Sequence, residues 1–201
     1  MSKVTCGITM SLDGFVAGPD QSLENPMGVL PGKPLPMWMF EDDDDNKQQD
    51  EMRDYLVDAK AYIMGSNMFM PKEERDDPDW KGWWGDNPTY HGPVFVLCKE
   101  PRESIVMEGG TTFHFVTDGI ESAFKQARAA AGDGTIAIAG GANTVNQYLA
   151  AGLIDELWLH IVPITIGSGA RLFEGVPNLK LEPVETSGTR LATHIRYKVL
   201  K

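Results

Sequence analysis

The chain has 201 residues, 42% of them hydrophobic and 23% charged, the balance of a globular protein with a proper core, and its net charge is −11. That charge argues against a nucleic-acid or anionic-membrane partner, since both need a basic footprint, and no apolar run approaches the roughly 18 residues that span a bilayer. It leaves room for an anionic cofactor, because backbone dipoles and one or two cations can hold a phosphate locally.

Residues 4–10 read as a strand, Ser11-Leu12-Asp13-Gly14 as a turn and residues 15–17 as a short extended piece. No long apolar segment precedes them, so a signal peptide is not expected and a cytoplasmic location is. Cys6 and Cys98 read as two thiols in a reducing compartment, not as a disulfide framework. Residues 21–40 are rich in Pro and Gly and read as loop. Asp44 or Asp45 is a candidate N-cap for a helix to about residue 59, with Met52, Tyr55 and Leu56 on one face.

The run Ala61-Tyr62-Ile63-Met64-Gly65 suits a strand buried on both faces, with a short helix over 66–70 after it. Residues 71–92 are irregular and carry Trp80, Trp83 and Trp84. Strands are expected at 93–98 and 112–116. An amphipathic helix over 119–131 turns Ile120, Ala123, Phe124 and Ala127 inward. A buried strand at 135–139, a helix at 143–151 closed by Gly152, and a strand at 156–164 follow. The last strands, around 179–184 and 194–199, read as a hairpin. Alternating strands and helices with a strand–strand end predict an α/β fold whose sheet is mostly parallel with an antiparallel C-terminal edge. Ligands of such sheets bind beyond the carboxyl ends of the strands. Gly65-Ser66-Asn67, Cys98-Lys99 and Gly140-Gly141-Ala142-Asn143-Thr144 fall there.

At Gly140-Gly141 a buried strand gives way at once to a helix. Glycine lets the backbone approach a ligand closely, and free amides at the helix start attract an anion. The competing reading is a tight turn and nothing more. Ser11-Leu12-Asp13-Gly14 and Pro163-Ile164-Thr165-Ile166-Gly167-Ser168-Gly169-Ala170-Arg171-Leu172-Phe173 read, alone, as turn and loop chemistry. His91, His114, His160 and His194 are scattered without ligand spacing, so no metal is expected.

Together with Ile63-Met64-Gly65-Ser66 and Gly152-Leu153-Ile154-Asp155-Glu156-Leu157, these segments occur in the order found in the C-terminal reductase domain of riboflavin-biosynthesis proteins. The chain resembles the stand-alone bacterial members of that family over nearly its whole length. The resemblance implies a single dihydrofolate-reductase-like domain over 1–201: a three-layer α/β fold, NADPH as cofactor, a small-molecule substrate and a homodimer. Carried over by position, Gly140, Gly141, Ala142, Asn143 and Thr144 hold the pyrophosphate. Gly65, Ser66, Asn67 and Met68 begin a second cofactor-binding helix, Cys98 and Lys99 lie at the adenosine end, and Val16 and Ala17 line the nicotinamide. Lys99, with Arg102, is the candidate for the 2′-phosphate. The catalytic candidates are Asp50, near the position of the acidic residue on the first helix of dihydrofolate reductases, and Asp13, whose alternative role is to order the loop next to the nicotinamide; Gln49 and Asp54 are alternatives to Asp50.

The sequence also departs from the riboflavin enzyme. The zinc pattern of its deaminase partner is absent. The acidic 19–50 stretch supplies only Lys33 and Lys47 for a ribose phosphate. Trp38, Phe40, Trp80, Trp83 and Trp84 either wall a pocket for a flat ring or pack over the sheet. The expected activity is NADPH-dependent reduction of a pterin- or pyrimidine-like ring, similar to 5-amino-6-(5-phosphoribosylamino)uracil reductase or dihydrofolate reductase. The alternative is a non-catalytic NADP(H)-binding or nucleotide-binding protein of the same fold.

Overall fold

In the computed structural model, which describes residues 3–32, 35–40 and 58–201, the apolar runs of the sequence become the middle strands of one sheet. In chain order the strands are β1 (Val4–Ser11), β2 (Phe15–Ala17), β3 (Ala61–Gly65), β4 (Pro93–Leu97), β5 (Ile105–Val106), β6 (Thr112–Val116), β7 (Ile136–Gly140), β8 (Glu156–Val162), β9 (Ala170–Arg171), β10 (Lys180–Gly188) and β11 (Thr193–Leu200). The main sheet runs β10-β11-β8-β1-β7-β3-β4-β6-β5, and β2 pairs with β9 apart from it. The pairings from β8 through β1, β7, β3 and β4 to β6 are parallel. β11 joins β8 antiparallel, and β10 and β11 form the expected hairpin.

Alternation sorts the two faces. Val4, Cys6, Ile8 and Met10 of β1, Ala61 and Ile63 of β3, and Ile136 and Ile138 of β7 point into one core. That core is capped by α2 (Ile120–Ala131) and α3 (Ala142–Ala150). α2 buries Ala123, Ala127 and Ala131, an i, i+4, i+8 stripe narrow enough to lie flat on the strands. Tyr148 of α3 donates its hydroxyl to the Ile120 carbonyl and so joins the two helices. α3 stops at Gly152, whose φ of 65° belongs to the left-handed region. The Gly152 and Leu153 amides bond back to the Leu149 and Tyr148 carbonyls, the paired bonds of a Schellman end.

The chain after that end explains the Gly152-to-Leu157 motif in structural terms. Ile154 is fully buried, and the Asp155 carboxylate accepts the Val4 amide at 2.9 Å and the Lys201 ammonium at 2.7 Å. Asp155 thereby sets β8 in register against the first residue of β1.

The opposite face carries two separate clusters. Tyr62, Met64, Val94, Val96 and Phe113 pack with Phe69 of α1 (Ser66–Phe69) and with Trp84. Trp158 and Val162 of β8 pack with Leu35 and Trp38, which belong to a 3-10 turn at Leu35–Met39. That turn lies inside the stretch read as loop. Between the clusters, over β1 and β7, the side chains are small: Gly7, Thr9, Ala137 and Ala139.

The strand expected over 156–164 ends at Val162 instead. Pro163 has no amide to continue the ladder, and the Ile164 amide turns back onto the Val162 carbonyl. The two-residue strands β5 and β9 carry no sequence signal. The helix expected to about residue 59 lies outside the described residues over most of its length. No described helix is long and apolar enough to cross a membrane.

Candidate active site

The carboxyl ends of β3 and β7 touch. A Cβ built on Gly65 would stand 2.5 Å from Thr144 Oγ1 of α3, and one on Gly140 would stand 3.3 Å from Met68 Sδ. Only glycine at position 65 lets the first turn of α3 sit this close to β3. Space opens in front of Gly141, where a Cβ would meet nothing within 4 Å. The N–H groups of the first turn of α3 have no partner inside the helix, and among the described residues no side chain caps that end.

Beside this junction the sheet is accessible. Gly7 and Thr9 in the middle of β1, and Ala139 in β7, are half-buried although their strands are central. Their flanks are tall: Trp38 over β8 and Met68 over the β3 side. A floor of small side chains between aromatic and thioether walls suits a flat ring.

Asp13 does not point into free space. It accepts the Ser11 hydroxyl at 2.5 Å, the Gly167 amide at 2.7 Å and the Ile166 amide at 3.1 Å. The Ser11 hydroxyl, with the Gly167 and Ile166 amides, holds its carboxyl below the usual carboxylate range. Leu12 N–H adds a bond to the Ile164 carbonyl, and Leu172 N–H one to the Gly14 carbonyl. The turn after β1 and the glycine loop after β8 are thus tied by an ionised carboxylate. Asp13→Asn leaves one acceptor oxygen where three donors converge. The Ile166 and Gly167 amides are then expected to exchange with solvent about tenfold faster, as read by hydrogen exchange.

Val16 and Ala17 are buried in β2, and the Val16 side chain belongs to the core that α2 and α3 cap. Asn67 is exposed at the start of α1, where its Oδ1 accepts Arg75 Nη2 at 2.6 Å. Cys98 is half-buried and donates to the Glu100 carbonyl, while Lys99 is exposed. Arg102 is spent elsewhere: it donates to the Pro78 and Trp80 carbonyls and lies over the Phe115 ring. Trp80 donates its indole N–H to the Phe69 carbonyl, and Trp84 stacks on Phe113, so both pack over the sheet. Phe40 is 70% exposed. Asp50, Gln49, Asp54, Lys33 and Lys47 lie outside the described residues.

Sequence reasoning passed over His160 and His194. Their registered positions on β8 and β11 bring the two Nδ1 atoms to 2.8 Å in a buried site. Burial pushes the His160 imidazole down to about 3 and that of His194 to about 4. The signal was present only as two histidines in alternating buried strands, and it becomes a pair once strand register is known.

A family model described as "RibD C-terminal domain" matches residues 2–193. A curated relative, "Uncharacterized protein YwjB" of Bacillus subtilis (strain 168), is 24% identical over 96% of each chain. A putative riboflavin biosynthesis protein from Shewanella sp. PV-4 superposes with a TM-score of 0.64 at 22% identity, covering 99% of both chains. Dihydrofolate reductase from Enterococcus faecalis, solved with NADP(H), superposes with a TM-score of 0.57 at 14% identity, covering 99% of this chain and 97% of that one. The fold is therefore dihydrofolate-reductase-like.

Proposed function

Since this chain belongs to the RibD C-terminal domain family, whose architecture it shares with dihydrofolate reductase, we propose that it is an NADPH-dependent reductase of a small pterin- or pyrimidine-like ring, acting as one domain over 1–201. The observation that carries this reading is the junction of β3 and β7: Gly65 against Thr144, open space before Gly141, and the small-residue floor of Gly7, Thr9 and Ala139 beside it.

The residues present fit the cofactor. The first-turn amides of α3, from Gly141 through Asn143 with Thr144, would hold the pyrophosphate by backbone donors and the helix dipole. This suits a chain whose charge is strongly negative. Gly65, Ser66, Asn67 and Met68 would face it from β3. Lys99, exposed beyond β4, would meet the 2′-phosphate from the adenosine end beside Cys98, and Val16 and Ala17 would present backbone near the nicotinamide.

When bound, the cofactor supplies the hydride. The protein aligns two flat rings over Gly7, Thr9 and Ala139 and excludes water from between them. Asp13 serves this chemistry as an ionised clamp on the loop beside the ring, while Asp50 is the candidate acid that holds the substrate or delivers a proton.

A second reading, an NADP(H)-binding protein without turnover, draws on the same observation that commits Asp13 to the loop. The two readings separate by NADPH oxidation, at 340 nm, in the presence of heterocyclic substrates.

Binding itself is tested by titrating NADPH and NADH against tryptophan fluorescence. Micromolar NADPH binding with much weaker NADH binding is the expected result, and Lys99→Ala should narrow the difference about tenfold, the worth of one charge-assisted hydrogen bond. Absence of binding of either nucleotide below millimolar concentration would remove the cofactor assignment.

A further inference from the structure

The floor of small, half-buried residues beside the β3–β7 junction carries one polar side chain in a fixed setting, Thr9. Its register partner on β8 is His160, and that of His160 on β11 is His194, so three polar residues form a row across three strands on the open face. Trp38 lies on this row. Its ring centre is 4.5 Å from that of His160 and 4.7 Å from that of His194. Its indole N–H donates to Thr9 Oγ1 at 3.0 Å.

Indole N–H is a donor only, so Thr9 must be the acceptor in that bond. One lone pair of the hydroxyl is thereby used and its proton is turned elsewhere. Among the described residues nothing accepts that proton, although Thr9 is half-buried on the accessible part of the sheet. The setting is rigid. Trp38 is 2% exposed, and the two imidazoles beneath it share one Nδ1–H···Nδ1 bond, in which one ring donates and the other accepts through an unprotonated Nδ1. Nothing else ionisable faces the pair among its described ring neighbours, which are Trp38 and Trp158.

We propose that Thr9 determines which rings the cleft accepts, by donating its hydroxyl proton to an acceptor atom of the substrate ring, a carbonyl oxygen or an unprotonated ring nitrogen, with Trp38 on the His160–His194 pair positioning that hydroxyl. The inference rests on the reductase reading of the cleft and adds to it a ring-recognition residue. A ring presenting only C–H at that point leaves the hydroxyl proton unpaired in a partly desolvated site, and is disfavoured.

The test uses full-length protein saturated with NADPH and 5,6-diaminouracil as the probe, a ring with two carbonyl acceptors. Its dissociation constant is measured for wild type, Thr9→Val, Thr9→Ser and Trp38→Phe. Valine keeps the branched shape and loses the hydroxyl, so its binding should weaken about tenfold. Serine restores the hydroxyl and should restore affinity. Trp38→Phe keeps the ring on the histidines and frees the hydroxyl, and should fall between them. The NADPH dissociation constant of the Thr9 variants should stay at the wild-type value, which separates ring recognition from a structural role; the melting temperature of Thr9→Val should fall, because the buried Trp38 indole N–H loses this acceptor, and that of Thr9→Ser should stay at wild type. Equal probe affinity in Thr9→Val and wild type overturns the proposal. So does failure of wild type to bind the probe while NADPH still binds, an outcome that leaves the cofactor assignment standing. Failure of NADPH itself to bind removes both.

Discussion

Gly65→Ala is expected to weaken NADPH binding by about tenfold or more and to destabilise the fold by about 1–3 kcal/mol, the usual cost of overpacking a filled site. The added methyl would stand 2.5 Å from Thr144 Oγ1, closer than Cβ atoms come to any neighbour. Its next contacts, Thr144 Cβ at 3.7 Å and the Gly140 carbonyl at 3.8 Å, are ordinary. One oxygen therefore accounts for the clash. It belongs to a β-branched residue on the first turn of a helix, where threonine keeps two main rotamers. Relief comes from turning the Thr144 side chain to its other rotamer or from moving α3 away from β3, and the second pulls the Gly141–Asn143 amides off the proposed pyrophosphate position. Removing the oxygen should remove most of the penalty: Thr144→Ala combined with Gly65→Ala is expected to be more stable than the two single losses added together. Thermal melts and NADPH titrations of the four proteins check this. Additive losses would show that the close approach of β3 and α3 is not what glycine serves there.

The second large effect lies in the buried histidine pair. His160→Leu should cost about 2–3 kcal/mol in urea denaturation at pH 7, because it leaves His194 Nδ1 buried without its partner. The double replacement with His194→Leu should cost less than the two single replacements together, since no polar atom is then stranded. The pair also shapes the pH dependence. Both imidazoles titrate lower in the folded state than the ordinary value of 6.5, near 3 and 4. At pH 5 the unfolded chain has bound these protons and the folded chain has not. Protons therefore favour unfolding throughout that window. Stability is complete above about pH 6.5 and declines as the pH falls toward 4, on the order of 1 kcal/mol per pH unit for each imidazole. The double leucine variant should show a flatter profile between pH 6.5 and 4. An unchanged slope would mean that the pair is already protonated in the native protein.

Much of the architecture was legible because its central strands are apolar runs that end in glycine and its two long helices stop at glycine. Ala61–Gly65 and Ile136–Gly140 announce buried parallel strands, Gly152 ends α3 as expected, and the strand–strand C-terminus becomes the β10–β11 hairpin. What the sequence concealed depends on register and on distance along the chain. β5 and β9 are two residues each and form because a neighbour lies alongside. Trp38 reads as loop until it is seen on a histidine pair more than 120 positions away. Asp13 reads as a turn residue, a catalytic acid or a loop-ordering group, and only the fold shows its partners, the Ile166 and Gly167 amides 153 and 154 residues on. Arg102 reads as a free cation beside Lys99, whereas backbone carbonyls from the 71–92 stretch occupy it. Arg75, which no motif marks, is the cation that meets Asn67.

The central claim is that NADPH lies across the joined ends of β3 and β7, against the start of α3. Amide chemical-shift mapping of the 15N-labelled protein during NADPH titration tests it residue by residue. Saturable shifts are expected, largest at Gly141, Ala142 and Asn143, with a second group at Ser66, Asn67 and Met68 and a third at Cys98 and Lys99. Shifts confined to other elements, such as β10 and β11, or no saturable shifts below millimolar NADPH, would contradict it.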